Sequence, residues 1–414
     1  MTRPKIAIIG GGAAGFFGAI TCSHYNPDVE ISLLEKNNKL LSKVKISGGG
    51  RCNVTHACYD PKLLLSFYPR GAKCLKTVFK HFSVTQTIDW FKKRKVLLKT
   101  ESDNRMFPES NDSQTIVDCL FSEALVNGIK VLTDFGVGGI EVGHNSFVIK
   151  LRGGESLHVD RILIATGGNP NTNSYQWLQN LGHTIIPPVP SLFTFNVPNS
   201  RLNGLQGISV EHARIKIQNN DFIQEGPLLI THWGFSGPAI LKLSAWAARY
   251  LNQQNYEFNI MVNWIPEYNE ERLRDCFFAY RKEFPKRNVI NHPVVNIPRR
   301  LWERMAILNE IDSELTWGEL PNRNINKLIE ELLRGVFCVK GKTTFKEEFV
   351  TCGGIDLADV NPETMESKKV PGLYFAGEVL DIDGVTGGFN FQAAWSTGFL
   401  AGKSMAESIK KAPR

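Results

Sequence analysis

A chain of 414 residues is too long for one ordinary hydrophobic core, and two or three domains are expected. Its 42% hydrophobic and 21% charged residues describe a folded chain and exclude a disordered one, and no apolar run approaches the length of a membrane span. The formal net charge of +7 is mildly basic and, spread over this length, does not demand a nucleic-acid partner.

The eight cysteines (Cys22, Cys52, Cys58, Cys74, Cys119, Cys276, Cys338 and Cys352) contain no C-x-x-C and no zinc or disulfide spacing. That pattern fits reduced thiols in the cytoplasm, with no metal. Arg3 and Lys5 precede an apolar run, but the glycines inside it argue against an export signal.

Lys5 to Ile9 is short, apolar and β-branched, and reads as a central parallel strand. Gly10-Gly11-Gly12-Ala13-Ala14-Gly15 follows and fits G-x-G-x-x-G. An apolar helix from Phe16 comes next, then a strand from Glu30 to Leu34 ending in Glu35 and Lys36. Strand, glycine turn, helix, strand and an acid about twenty residues past the glycines form the dinucleotide-binding βαβ unit. Gly10 permits the tight turn, Gly12 lets a pyrophosphate approach the backbone, and Gly15 lets helix and strand pack closely. The helix N-terminus offers N–H groups to phosphate, and Glu35 can accept both ribose hydroxyls.

Ser47-Gly48-Gly49-Gly50-Arg51-Cys52-Asn53 reads as a loop whose backbone N–H groups can form an anion-binding nest. Arg51 is a candidate phosphate partner and Asn53 a hydrogen-bonding group for a planar heterocycle. Cys52 has no partner cysteine nearby and reads as structural. Pro61 to Trp90 has helical spacing of core residues. The basic run Lys92-Lys93-Arg94-Lys95 reads as a solvated helix end. Arg105 to Pro108 is expected as a turn before a helix over about 113–126. Gly128 to Leu132 is a strand of the first sheet, and Phe147 to Leu151 with Leu157 to Val159 reads as a hairpin.

Arg161 to Ile164 is another buried strand, ending in Ala165-Thr166-Gly167-Gly168, small enough to pass close to a nucleotide. Pro187-Pro188-Val189-Pro190 is a stiff break and a domain boundary. Beyond it, Val210 to Ile217, Phe222 to Ile230 and Tyr256 to Val262 alternate as strands. Thr231 to Pro238 turns into a helix, and the stretch over about 269–334 reads as three helical pieces. His232 is the candidate proton donor of this region. The chain returns at Leu373 to Phe375, a strand ending in Gly377-Glu378. A glycine turn follows, with Asp383, Gly384, Gly388, Asn390, Phe391 and Gln392, and a helix is expected from about Ala393. Its N-terminus could hold negative charge on a reduced ring.

The two ends of the chain resemble the two-dinucleotide-binding-domain flavoproteins. More closely, the chain is similar to the bacterial FAD-binding flavoproteins of the aminoacetone oxidase-like and 3-dehydro-bile-acid reductase-like group. The carrying stretches are Lys45 to Asn53, Thr231 to Pro238, and Gly377 to Asp381 with Gly387 to Gln392. The resemblance implies an α/β fold. A Rossmann-like FAD-binding domain made of residues 1–190 and 343–414 would be interrupted by an inserted β-barrel and helical domain over 191–342. It implies FAD at Gly10, Gly12, Ala14, Glu35, the loop from Ser47 to Asn53, Val137 at the adenine, Thr166, Gly167, Glu378, Asp383 and Gly388 to Gln392. Ala13, Gly15, Lys36, Ala165, Gly168, Gly377 and Gly384 join them as candidate contacts. Glu378 stands where many relatives of the wider superfamily have Asp.

The expected function is FAD-dependent oxidoreduction. A hydride passes between flavin N5 and a small organic substrate between the flavin domain and the insert, with His232 and Asn53 as candidate catalytic groups. No second strand–glycine–helix unit is evident, so NAD(P)H would dock transiently at most. The alternatives are an amine oxidase using oxygen and a nucleic-acid-modifying flavoprotein. The net charge permits the latter, although no interleaved basic and aromatic motif supports it.

Overall fold

The computed structural model describes residues 3–343 and 350–411, so the first residues of the expected return segment, 344–349, lie outside it. Among the described residues the chain forms two compact units, 3–190 with 350–411, and 191–343.

The first unit is built on a five-stranded parallel sheet. Its strands are β1 (Lys5–Ile9), β2 (Glu30–Leu34), β3 (Lys130–Leu132), β4 (Arg161–Ile164) and β5 (Leu373–Phe375), in the order β5-β4-β1-β2-β3. β1 is central, and Ile6 to Ile9 are buried, as a continuous apolar run in a two-sided sheet requires. Helix α1 (Ala13–Tyr25) is buried along Ala14 to Ser23, because α2 (Gln114–Val126) and α3 (Phe389–Lys411) both pack on it. Small residues set the α1–α3 spacing: a Cβ on Gly402 would lie 2.3 Å from the Gly18 carbonyl oxygen.

Three local expectations change. Arg105–Pro108 is a strand, not a turn. It pairs with Thr55–His56 and Leu98–Thr100 because Met106 and Phe107 are buried there. The proline-rich stretch lies in a strand, Ile185–Ser191, paired with Val350–Ile355 in a two-stranded sheet that tolerates missing donors. Helix α3 starts at Phe389, so Asn390 to Gln392 occupy its first turn. Val137–Val142 adds a strand to the hairpin of Phe147–Leu151 and Ser156–Val159.

The second unit holds a seven-stranded sheet. Its order is Gly335–Lys340, Glu257–Asn263, Ser209–Ile217, Ile223–Ile230, Gly234–Ser236, Thr194–Asn196 and Lys342–Thr343. The first and last members are separated only by Gly341, whose carbonyl accepts the Asn196 N–H at 3.2 Å, so the sheet closes on itself as a barrel. Helices Glu270–Glu283, Arg299–Leu308 and Asn322–Arg334 pack around Phe277, Trp302 and Trp317. The last has its buried residues at 325, 328, 329, 332 and 333, one helical stripe.

Candidate active site

The chain leaves β1 at Gly10, where φ is +119° and a Cβ would lie 2.2 Å from the Ala165 carbonyl oxygen. Only glycine fits that turn. A Cβ on Gly15 would lie 2.0 Å from the Gly10 oxygen, so the first turn of α1 sits directly against the strand end. Gly12 behaves differently: a Cβ there would meet nothing within 4 Å. Gly12 caps α1 without a side-chain acceptor, and the first turn, from Ala13 and Ala14 on, carries no acid. The first N–H groups of a helix have no partner within it, so this end offers donors and positive potential to an anion in open space.

Glu35 stands beside this turn. Its Oε2 accepts the Gly11 N–H at 2.9 Å, and Oε1 accepts the Asn37 N–H at 3.0 Å. Each carboxylate oxygen keeps acceptor capacity for a ribose hydroxyl. Lys36 is exposed. The Phe135 N–H donates to the Glu35 carbonyl at 2.9 Å, which brings half-buried Val137 to the same end of the sheet.

Gly48, Gly49 and Gly50 have φ of +60°, +70° and +82°, interrupting the helical stretch Ser42–Gly50 immediately after Ser47. Side chains at Gly49 and Gly50 would meet nothing within 4 Å, so the backbone there faces open space. Arg51 is engaged within the protein. Its Nη1 donates to Glu101 Oε1 at 2.6 Å, and its guanidinium lies 4.1 Å from the Phe107 ring centre. Cys52 is fully buried, and burial pushes its thiol up to about 12, the opposite of activation. Asn53 is buried too, with its amide engaged at both ends: the oxygen accepts the Gly388 N–H and the nitrogen donates to the Thr55 carbonyl, each at 3.0 Å. It joins the glycine loop to the start of α3.

The ends of β4 and β5 complete the arrangement. The Ala165 N–H donates to Ile9 O at 2.8 Å, and Thr166 is exposed beyond it, followed by Gly167. A Cβ on Gly377 would lie 2.8 Å from Ala14 Cβ, so the end of β5 abuts the first turn of α1. Glu378 Oε1 accepts the Thr351 N–H at 2.8 Å, and Oε2 pairs with Lys43 Nζ at 2.6 Å. Gly168 packs against both Thr351 and Glu378. Thr351 is fully buried, and its hydroxyl has no hydrogen-bond partner among the described residues.

In the following turn several side chains expected to touch the cofactor are engaged by protein. Buried Asp383 is paired with Arg70. Asn390 holds both the N–H and the carbonyl of Gly384, at 2.8 and 2.9 Å. Gln392 Oε1 accepts from Thr55 at 2.6 Å and Thr87 at 3.0 Å, while its amide nitrogen donates to Ser396. Phe391 stacks on Trp395. These residues shape the turn that opens α3. His232 lies in the other unit, exposed, between strands Ile223–Ile230 and Gly234–Ser236. Lys43, His56, Arg70 and Thr351 were not anticipated. They carry no local motif, and only tertiary packing brings them to Glu378, Gly387 and Asp383.

The residues present fit FAD: an uncapped helix end beside open space for the pyrophosphate, Glu35 for a ribose, and an open glycine backbone at Gly49 and Gly50. The family model for the HI0933-like protein Rossmann domain matches residues 4–404. The chain belongs to the HI0933-like family. This HI0933-like chain is 26% identical over 411 residues to the 3-dehydro-bile acid delta(4,6)-reductase of Clostridium scindens, covering 97% of the chain and 99% of the relative. It is 29% identical over 414 residues to the ribosomal RNA dihydrouridine synthase of Escherichia coli, covering 98% of each. In fold it is similar to the 3-ketosteroid-delta4-(5alpha)-dehydrogenase of Rhodococcus jostii, with TM-score 0.52, 13% identity and 98% of each chain covered. It is also similar to quinol fumarate reductase of E. coli, with TM-score 0.51, 14% identity, all of this chain and 71% of the other. The HI0933-like chain is a flavoprotein oxidoreductase with an FAD-binding Rossmann fold.

Proposed function

We propose that this enzyme is an FAD-dependent reductase of a carbon–carbon double bond conjugated to a carbonyl, with NAD(P)H as the reductant. The observation that carries this reading is the match of two relatives over nearly their whole length. Both are named for saturating such a bond, one in the ring system of a 3-dehydro-bile acid and the other in uracil. FAD supplies the hydride chemistry when bound.

The chain's residues bind and orient. The N-terminus of α1 takes the pyrophosphate, Glu35 a ribose, and the Gly48 to Gly50 backbone a further polar group. Glu378, whose carboxylate keeps some exposure, offers hydrogen bonds to hydroxyls at the end of β5. The N-terminus of α3, with no acid in its first turn, favours negative charge placed on it. Gly138 and Gly139 lie inside strand Val137–Val142 and open no helix, so NAD(P)H has no dinucleotide unit of its own there. His232 is the proposed proton donor, and an unchanged rate of substrate reduction in His232→Ala would remove it.

The second reading concerns the acceptor. Relatives at 29% and 28% identity are ribosomal RNA dihydrouridine synthases, which makes uracil in RNA a substrate class beside a polycyclic enone. The test is the anaerobic visible spectrum of the purified protein. A flavin spectrum that bleaches with NADPH or NADH is expected to recover on adding either a 4-en-3-one steroid or ribosomal RNA lacking dihydrouridine. A protein without flavin, or a reduced flavin that neither acceptor reoxidises, overturns the reading.

A further inference from the structure

The positive charge of this chain is not spread along it. Residues 61–100 contain ten lysines and arginines and a single carboxylate, Asp89, a net charge of +9. The whole chain carries +7, so everything outside this segment sums to −2.

The segment folds as three helices, Pro61–Leu65, Ala72–His81 and Val84–Lys93, followed by strand Leu98–Thr100. Helix Ala72–His81 buries Cys74, Leu75, Val78 and Phe79. That leaves Lys73, Lys76 and Lys80, spaced three and four residues apart, on one exposed face. Helix Val84–Lys93 buries Val84, Thr87 and Phe91, and its end presents Lys92, Lys93 and Lys95 to solvent. Arg70 and Arg94 are neutralised by Asp383 and Glu123, but none of these six lysines has an ion-pair partner among the described residues. The nearby acid Glu363 faces His81, at 3.4 Å.

This surface is rooted in the candidate active site. Thr87 bonds Gln392, Arg70 pairs with Asp383, and the Tyr68 hydroxyl donates to the Phe389 carbonyl at 2.7 Å. The cationic helices are therefore braced against the turn that opens α3.

We propose that the lysine faces of helices Ala72–His81 and Val84–Lys93 bind the phosphate backbone of RNA and present it to the flavin site. Clustered, unpaired lysines on rigid helices give a sequence-independent attraction for phosphates, strengthened by counterion release. An anionic bilayer is a poorer match, because membrane-surface helices insert their apolar face and here both apolar faces are inside the protein core. The proposal rests on the reductase reading in its uracil form.

The test uses the flavin-loaded full chain and deproteinised bacterial ribosomal RNA, with dissociation constants measured over a range of salt. Wild type is expected to bind with a steep salt dependence. K73Q/K76Q/K80Q, and separately K92Q/K93Q/K95Q, should each flatten the log–log slope by about 2, at roughly 0.7 per lost phosphate contact on single strands. Both variants should keep the wild-type flavin spectrum and rate of reduction by NADPH. RNA binding that is absent in wild type at low salt, or unchanged in both variants, overturns the surface. So does binding to vesicles of equal phosphatidylcholine and phosphatidylglycerol without binding to RNA. Flavin reduction by NADPH is read on the same samples, so a failure of the reductase reading is seen separately.

Discussion

Arg70 and Asp383, 313 residues apart in sequence, form a buried charge pair in which Arg70 Nε donates to Asp383 Oδ1 at 2.5 Å. Asp383 is fully buried, so its carboxylate is held by the guanidinium and not by water. Removing one partner leaves a charge without compensation in a low-dielectric site. Asp383→Ala and Arg70→Ala are each expected to cost about 3–5 kcal/mol of stability, measured by urea denaturation. Replacing both by Leu and Met should cost clearly less than either single change. Equal costs would show that the pair does not act as a unit.

Gly12 and Gly15 belong to one motif but serve different ends. A Cβ on Gly12 enters open space, so Gly12→Ala should fold and melt like wild type while losing FAD affinity tenfold or more, about 1.4 kcal/mol. A Cβ on Gly15 runs into the Gly10 carbonyl, so Gly15→Ala should lose roughly 1–3 kcal/mol of stability even before cofactor is added. Circular dichroism melts of apo protein, with flavin titration, separate the two.

Cys52 lies in the glycine loop next to Arg51, a setting that invites a reactive thiol. Burial instead pushes the thiol up to about 12. At neutral pH it should stay unmodified by iodoacetamide in the folded protein and react fully after denaturation, as peptide mass spectrometry would show. Rapid labelling in the native state would contradict its position.

His183 is buried, with Nε2 2.8 Å from Ser367 Oγ and Nδ1 3.3 Å from Leu178 O. Burial lowers its affinity for a proton from the ordinary value of 6.5. As pH falls through 6.5 the unfolded chain takes up a proton that the folded chain resists. The stability associated with His183 is therefore present above that pH and declines below it. In His183→Gln the fall of melting temperature between neutral and mildly acidic pH should be shallower than in wild type. Parallel profiles would remove His183 from the acid response.

Much of the first unit was legible because its signals are local. The run from Lys5 to Ile9, the turn at Gly10 and the carboxylate of Glu35 lie within about thirty residues, and each conformation follows from nearest neighbours. The helices between Asn269 and Arg334 were legible for the same reason, from apolar spacing interrupted by prolines. Arg105–Pro108 was misread because its strand character comes from pairing with Thr55–His56, fifty residues away. The proline stretch ends the first unit at Pro190, where the boundary was expected, but its strand character was not visible because its partner, Val350–Ile355, lies far along the chain.

At the candidate site the division is sharper. The backbone features, from the uncapped start of α1 to the left-handed glycines and the turn before α3, were visible as glycine patterns, since a positive φ or a close approach selects glycine directly. Side-chain partners were not visible. Arg51 turns to Glu101, Asp383 to Arg70, Asn53 to Gly388 and Gln392 to Thr55 and Thr87, each across tens to hundreds of residues. Residue type shows what a polar group can bond. Which bond forms is decided by the packing that brings distant segments together, because a buried polar group must take whatever partner the tertiary structure places within reach.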